Sequence, residues 1–190
     1  MQLNLDEKFL FNSMSKNVVF VGHPNLQASK LNKSLLLEVE KHPEILVRDV
    51  YKLYGDLTFN GHINPEEDQK IIEGAERIIL QFPFHWYTAP ALLKQWFDDV
   101  FAYNWAFGTD TPKTAGKKLL IAMTTGGRLE DYQPNGYNNY FTTEFLTQFI
   151  QSAKLCKMEF AGAFFVQGSR VITEEEIAIK AKEYVRFIKG

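Results

Sequence analysis

The stretch Arg77-Ile-Ile-Leu-Gln-Phe-Pro-Phe-His-Trp-Tyr-Thr-Ala-Pro-Ala-Leu-Leu-Lys-Gln-Trp-Phe-Asp-Asp-Val-Phe101 changes its pattern twice. Ile78 to Leu80 is an uninterrupted apolar run, as expected at the end of a strand buried on both faces. Pro83 and Pro90 then break the backbone. Between them Phe84, His85, Trp86 and Tyr87 crowd aromatic rings into a turn. After Pro90 the spacing is helical. Leu92, Leu93, Trp96, Phe97, Val100 and Phe101 share one face, with Lys94, Gln95, Asp98 and Asp99 on the other.

The same alternation extends in both directions. Val18 to Val21 is a buried strand ending at Gly22, and Lys30 to His42 carries Leu31, Leu35, Leu36 and Val39 at helical spacing. Ile45 to Asp49 reads as a short strand. Pro65 opens a helix through Ile71, Ile72 and Ala75, with acidic residues at its positive end. Leu119 to Met123 and Glu159 to Val166 are strands. Thr142 to Lys154 is predicted as one helix, burying Phe145, Leu146, Phe149, Ile150 and Ala153. Thr173 to Glu176 is a capping box for a last helix with Ile177, Ala181, Tyr184 and Ile188 inward. Five apolar strands separated by helices specify repeated βαβ units. The expected fold is α/β, a doubly wound five-stranded parallel sheet with helices on both faces.

At 190 residues, 45% of them hydrophobic, the chain can form one domain with a full core. Residues 17–190 are expected to form it, and 1–16 to be an extension. A net charge of −2 offers no basic field for nucleic acid or anionic lipid. No apolar window is long enough to span a membrane, and the N-terminus lacks a signal-peptide pattern. The lone cysteine, Cys156, excludes an internal disulfide and is expected to be buried. These features suit a cytoplasmic protein.

Doubly wound sheets bind ligands beyond the carboxyl ends of their strands, where the winding reverses. That places a site on three loops. The first, Gly22 to Asn32, has no Gly-x-Gly-x-x-Gly and no P-loop pattern. Its His23, Ser29 and Asn32 could donate to phosphate at a helix start, or Ser29 could simply cap that helix. The second is the aromatic turn, which could be a pocket, a hydrophobic plug or a dimer contact. The third, Thr124 to Gly136, has Gly126 and Gly127, which could allow close approach to a ligand or simply form a glycine turn, and the phenol of Tyr132. The histidines, His23, His42, His62 and His85, form no metal-binding spacing. There is no nucleophile elbow, and Asp98-Asp99 reads as solvated surface.

Gly22-His-Pro with Ser29 and Asn32, Phe82-Pro-Phe-His-Trp-Tyr with Pro90 to Phe101 and Ala106-Phe-Gly, and Thr124-Thr-Gly-Gly with Tyr132 resemble the flavodoxin-like NAD(P)H:quinone oxidoreductase family. That family includes mammalian quinone reductases, bacterial general-stress NAD(P)H oxidoreductases and ancillary flavoproteins of glutathione-gated potassium efflux systems. The resemblance runs from about Asn17 to the C-terminus. It implies a flavin, with His23 and the run Ser29, Lys30, Leu31 and Asn32 at its phosphate. Pro83, Phe84, His85, Trp86 and Tyr87 would run along the isoalloxazine. Thr124, Thr125, Gly126 and Gly127 would face its pyrimidine end, and Tyr132 matches the family's active-site tyrosine. A homodimer is also implied, with Tyr103 to Phe107 near the contact. Asn138 stands where some members have a histidine. The chain lacks the C-terminal extension of the FAD-binding members, so FMN is expected rather than FAD.

The expected activity is two-electron transfer from NAD(P)H to a quinone or similar planar acceptor, by ping-pong kinetics. The rival reading is an FMN-binding ancillary subunit docked on a potassium efflux transporter. A third, a flavodoxin-type electron carrier, fits poorly with an isoelectric point near 6.1, since such carriers tend to be strongly acidic.

Overall fold

A computed structural model of the chain describes residues 16–55 and 63–190. The expected extension, apart from Lys16, and His62 lie outside the described residues. Lys16 already belongs to the sheet margin: its carbonyl accepts from the amides of Glu76 and Arg77.

Five parallel strands form one sheet: β1 (Asn17–Val21), β2 (Ile45–Asp49), β3 (Arg77–Pro83), β4 (Lys118–Thr124) and β5 (Glu159–Val166), in the order β2-β1-β3-β4-β5. The winding reverses between β1 and β3, the flavodoxin-like order. Among the described residues six α-helices flank the sheet, five between strands and one after the last: α1 (Lys30–Val39), α2 (Val50–Tyr54), α3 (Glu66–Gly74), α4 (Ala91–Val100), α5 (Thr147–Leu155) and α6 (Glu174–Lys189). Alternate strand residues feed two cores. Val18 and Phe20 pack with Ile72, Leu93, Trp96 and Phe149 beneath α3, α4 and α5. Val19 packs with Leu35, Ile177 and Tyr184 beneath α1 and α6. A sheet covered on both faces needs apolar residues at every strand position, which explains the uninterrupted runs.

Three expectations are corrected. The segment from Thr142 begins as a 3₁₀ helix through Leu146, and only Thr147 to Leu155 is α-helical. Ile150 points to solvent at 44% exposure, while Leu146, Phe149 and Ala153 are buried. Asp99 is not solvated surface: its carboxylate accepts from the amide of Ile63 at 3.1 Å. Helix α2 was not foreseen, because five residues show no period; the Asp49 side chain caps it by accepting from the Lys52 amide.

The acidic start of α3 also does more than face the helix dipole. Asp68 is fully buried. Its carboxylate accepts from Arg48 Nε (2.8 Å), Tyr54 Oη (2.8 Å) and Trp96 Nε1 (2.7 Å). One carboxylate thus joins β2, α2, α3 and α4. Burial works against the charge of Arg48, but Asp68 and Glu67 outweigh it and raise the pKa. Burial and the adjacent Asp68 charge push the Tyr54 phenol up to about 12. Cys156 is buried as expected, and burial moves its thiol up to about 11, which keeps it protonated and inert.

Candidate functional site

The carboxyl ends of β1, β3 and β4 open into a cleft of about 540 Å³. It is lined by His23, Asn25, Ala28, Ser29, Lys30, Leu31, Asn32, Pro83, Phe84, His85, Thr124, Thr125 and Gly126, with Ser169 and Arg170 from a fourth loop. A cleft of this size suits a cofactor-sized ligand. A second recess of about 460 Å³ adjoins it, sharing Gly126 and Arg170 and adding Gly127, Arg128, Asp131, Tyr132, Tyr137, Asn138 and Val171.

The first wall is built by the start of α1. Ser29 is its N-cap, its hydroxyl oxygen accepting from the Asn32 amide at 3.1 Å. Capping leaves that hydroxyl's proton and the first helical amides for a ligand, so capping and anion binding are compatible here. His23 Nδ1 accepts from the Asn25 amide at 3.0 Å, so neutral His23 carries its proton on Nε2. Burial lowers the His23 pKa; the neighbouring His85 lowers it further and Asp49 partly offsets this. Lys30 does not reach the cleft with its charge: Nζ donates to the Ile172 carbonyl at 2.8 Å and pairs with Glu174. Asn32 lines the cleft but is engaged within the chain. Its side chain is buried, with Nδ2 donating to Thr124 Oγ1 at 2.8 Å, and its carbonyl accepts from Gln81 Nε2 at 2.9 Å. It ties α1 to β3 and β4 beneath the cleft rather than presenting a donor to phosphate.

The second wall is the aromatic turn. His85 and Thr88 exchange two backbone hydrogen bonds of 3.0 Å, closing a tight turn around Trp86 and Tyr87. Both central residues have left-handed φ angles, 47° and 64°. That is the geometry of a type I′ turn, normally given to Gly or Asn. Bulky residues there carry backbone strain of about 1–2 kcal/mol each, a feature that clusters at ligand sites. Phe84 and His85 line the cleft; Trp86 stands 92% exposed at its rim. Tyr87 stacks on Phe145 at 5.4 Å, and its hydroxyl reaches Asn138 Oδ1 at 3.3 Å. Phe145, expected in the helix core, instead meets Phe84, Tyr87, Tyr132 and Tyr140 in one aromatic cluster.

The third wall is the loop after β4. A Cβ built on Gly126 would meet no protein atom within 4 Å, so nothing inside the chain demands glycine there. Its bare backbone is a cradle that a side chain would fill. Among the described residues, the amides of Gly126 and Gly127 donate to no carbonyl. Gly127 differs: its Cβ would lie 3.0 Å from the Tyr132 ring. Tyr132 is buried against it, and burial raises its pKa, with a hydrogen bond to Thr125 opposing. The phenol therefore keeps its proton near neutral pH.

Sequence reasoning missed Asn25, Ser169 and Arg170. The last two follow β5, whose pairing of Val166 with Thr124 sets its loop beside the glycine loop. The signal was available in Gly168-Ser169-Arg170 at a strand's carboxyl end. No group of three His, Cys, Asp or Glu among the described residues could hold a metal ion. No helix among them is long and apolar enough to cross a membrane.

The strand order and this site define a protein of the flavodoxin-like class. A family model described as flavodoxin-like fold matches residues 15–188, and the chain belongs to that family. YrkL of Bacillus subtilis, described as an uncharacterized NAD(P)H oxidoreductase, is 37% identical over 92% of this chain and 98% of its own length. KefG of Cronobacter sakazakii, an ancillary protein of a glutathione-regulated potassium-efflux system, is 30% identical over 94% of this chain and 95% of its own. The crystal structure of general stress protein 14 from Treponema denticola, solved with FMN, superposes with a TM-score of 0.84 at 29% identity, covering 92% of this chain and 98% of that one.

Proposed function

We propose that this chain is an FMN-dependent NAD(P)H:quinone oxidoreductase acting as a homodimer. The observation that carries this reading is Gly126, whose free amide and empty Cβ position open into the cleft shared by the helix start and the aromatic turn. The residues present fit FMN. His23 Nε2–H, the Ser29 hydroxyl and the first amides of α1, those of Lys30 and Leu31, would hold the phosphate. Pro83 to Tyr87 would flank the ring, and Thr124 to Gly127 would hold its pyrimidine edge. FMN held there would supply two-electron redox chemistry between NAD(P)H and a quinone. The amides of Gly126 and Gly127 supply donors where negative charge collects. Tyr132 holds a proton near the mouth, available to an acceptor carbonyl. Asn138 cannot take up a proton, and its carbonyl faces the Tyr87 hydroxyl.

Replacing Tyr132 by phenylalanine should lower quinone turnover about 10–100-fold while FMN content is kept. Steady-state rates equal to the parent's would remove Tyr132 from the reaction. Because both substrates would use one slot, double-reciprocal plots should be parallel; intersecting lines would contradict a shared slot.

The His23 shift gives a pH dependence. Its folded pKa lies below its ordinary value of 6.5, so between the two values the unfolded chain binds more protons. His23 therefore weakens stability as pH falls through that window, and the effect disappears above it. A phosphate beside the ring reverses the sign by favouring imidazolium. FMN binding near pH 6 should take up a fraction of a proton, read calorimetrically in buffers of different ionisation enthalpy. Uptake unchanged in His23→Ala would place the phosphate elsewhere.

Support for the dimer comes from exposed rings: Trp86 and Tyr137 (87%) beside the two recesses, and Tyr103 (65%) in the segment past α4 that the family resemblance assigns to the contact. A monomeric mass for the FMN-loaded protein would contradict it. The identity to KefG favours a second role, docking on a potassium efflux transporter. Failure to co-purify with such a transporter when both are expressed would contradict that role.

A further inference from the structure

We infer that the second recess is an anion subsite in which Arg128 and Arg170 read the 2′-phosphate of NADPH, making this chain selective for NADPH over NADH. The inference rests on the NAD(P)H-dependent reading above.

Three other basic side chains near the sheet are engaged. Arg48 is held by Asp68 and Glu67, Arg77 donates to the Phe187 carbonyl, and Lys30 pairs with Glu174. Arg128 and Arg170 are exposed, and neither guanidinium has a partner among the described residues. Both line the recess that adjoins the cofactor cleft at Gly126. The recess contains one carboxylate, Asp131, and it already accepts from the Arg128 amide at 2.7 Å. Two cations against one engaged carboxylate leave a positive surplus.

The backbone holds these two arginines together. The Gly168 amide donates to the Gly127 carbonyl (2.7 Å) and the Ser169 amide to the Thr125 carbonyl (3.0 Å), zipping their loops side by side. Gly168 has φ 75°, and a Cβ there would lie 3.5 Å from Arg128 Cγ. The nearest atom to such a Cβ is Val171 Cγ2 at 3.2 Å, and the Arg128 distance is ordinary contact, so glycine serves the left-handed turn that carries Arg170. A ribose 2′-hydroxyl offers such a pair nothing ionic. A phosphate monoester brings about −1.5 to −2 charges and oxygens matched to guanidinium forks.

The test uses the FMN-loaded enzyme and compares kcat/KM for NADPH and NADH. The parent should favour NADPH at least about tenfold, as expected for charge-assisted contacts. Arg128→Ala and Arg170→Ala should each lower the NADPH:NADH ratio, and the double variant should bring it near one. Gly168→Ala should lower the ratio without removing a charge. Adenosine 2′,5′-bisphosphate should inhibit more strongly than AMP, the difference shrinking with salt. Equal use of both nucleotides by the parent, or equal losses with both in the variants, overturns the inference while the oxidoreductase reading stands. The inference also falls if Arg170→Ala loses FMN at an unchanged ratio, which would assign Arg170 to the cofactor. Failure of both nucleotides to reduce the bound flavin would instead remove the reading beneath it.

Discussion

Gly126→Val should abolish FMN binding, at least about 100-fold in affinity, and leave the apoprotein folded. The expectation follows from what surrounds the position. A Cβ on Gly126 meets nothing within 4 Å, so the chain leaves open space for a side chain there. The valine methyl groups project into the cleft where a planar ring would approach the backbone amide. The thermal midpoint should be compared between apoproteins, because FMN itself stabilises whatever it binds. Gly127→Val is the informative contrast. Its side chain would press on the Tyr132 ring and the Asp131 carboxylate, at 3.0 and 3.1 Å from the Cβ alone. That variant should lose stability as well as cofactor. Unaltered FMN affinity in Gly126→Val would show that the flavin does not lie against this loop.

The largest effect on stability is expected from Asp68→Ala. The carboxylate is fully buried and accepts from Arg48, Tyr54 and Trp96. Removing it leaves the Arg48 guanidinium, itself largely buried, with only the half-exposed Glu67 as an ion-pair partner among the described residues. Breaking a buried ion pair on one side costs about 3–5 kcal/mol. For a chain of this length that is a fall on the order of 10 °C in thermal midpoint. Glu67→Ala, which removes a 54% exposed carboxylate, should cost less than about 1 kcal/mol. Equal losses in the two variants would contradict the assigned role of burial.

Why α3 holds such a residue could not be read from sequence. Glu66, Glu67 and Asp68 look alike as an acidic first turn, and only the packing of Trp96 and Tyr54 singles out the third. The sheet was legible because burial on both faces makes every strand position apolar, as in Val18 to Val21 and Leu119 to Met123. Helix faces were legible where the period was unbroken: Leu31, Leu35, Leu36 and Val39 are all buried. The period misled at Thr142, where a 3₁₀ start shifts the register and turns Ile150 outward and Phe145 toward Tyr87. At the candidate site, the winding rule pointed to three of the loops that line the cleft and left out the fourth. Side-chain direction was beyond it: Lys30 and Asn32 have suitable chemistry, yet Glu174 and Thr124 engage them.

The most direct test of the central claim is the visible spectrum of the purified protein, before and after adding FMN and then NADPH or NADH. The account predicts flavin absorption that co-purifies or is restored by FMN, bleaches with reduced nucleotide and recovers when a quinone is added. A colourless protein that binds no added FMN would contradict it.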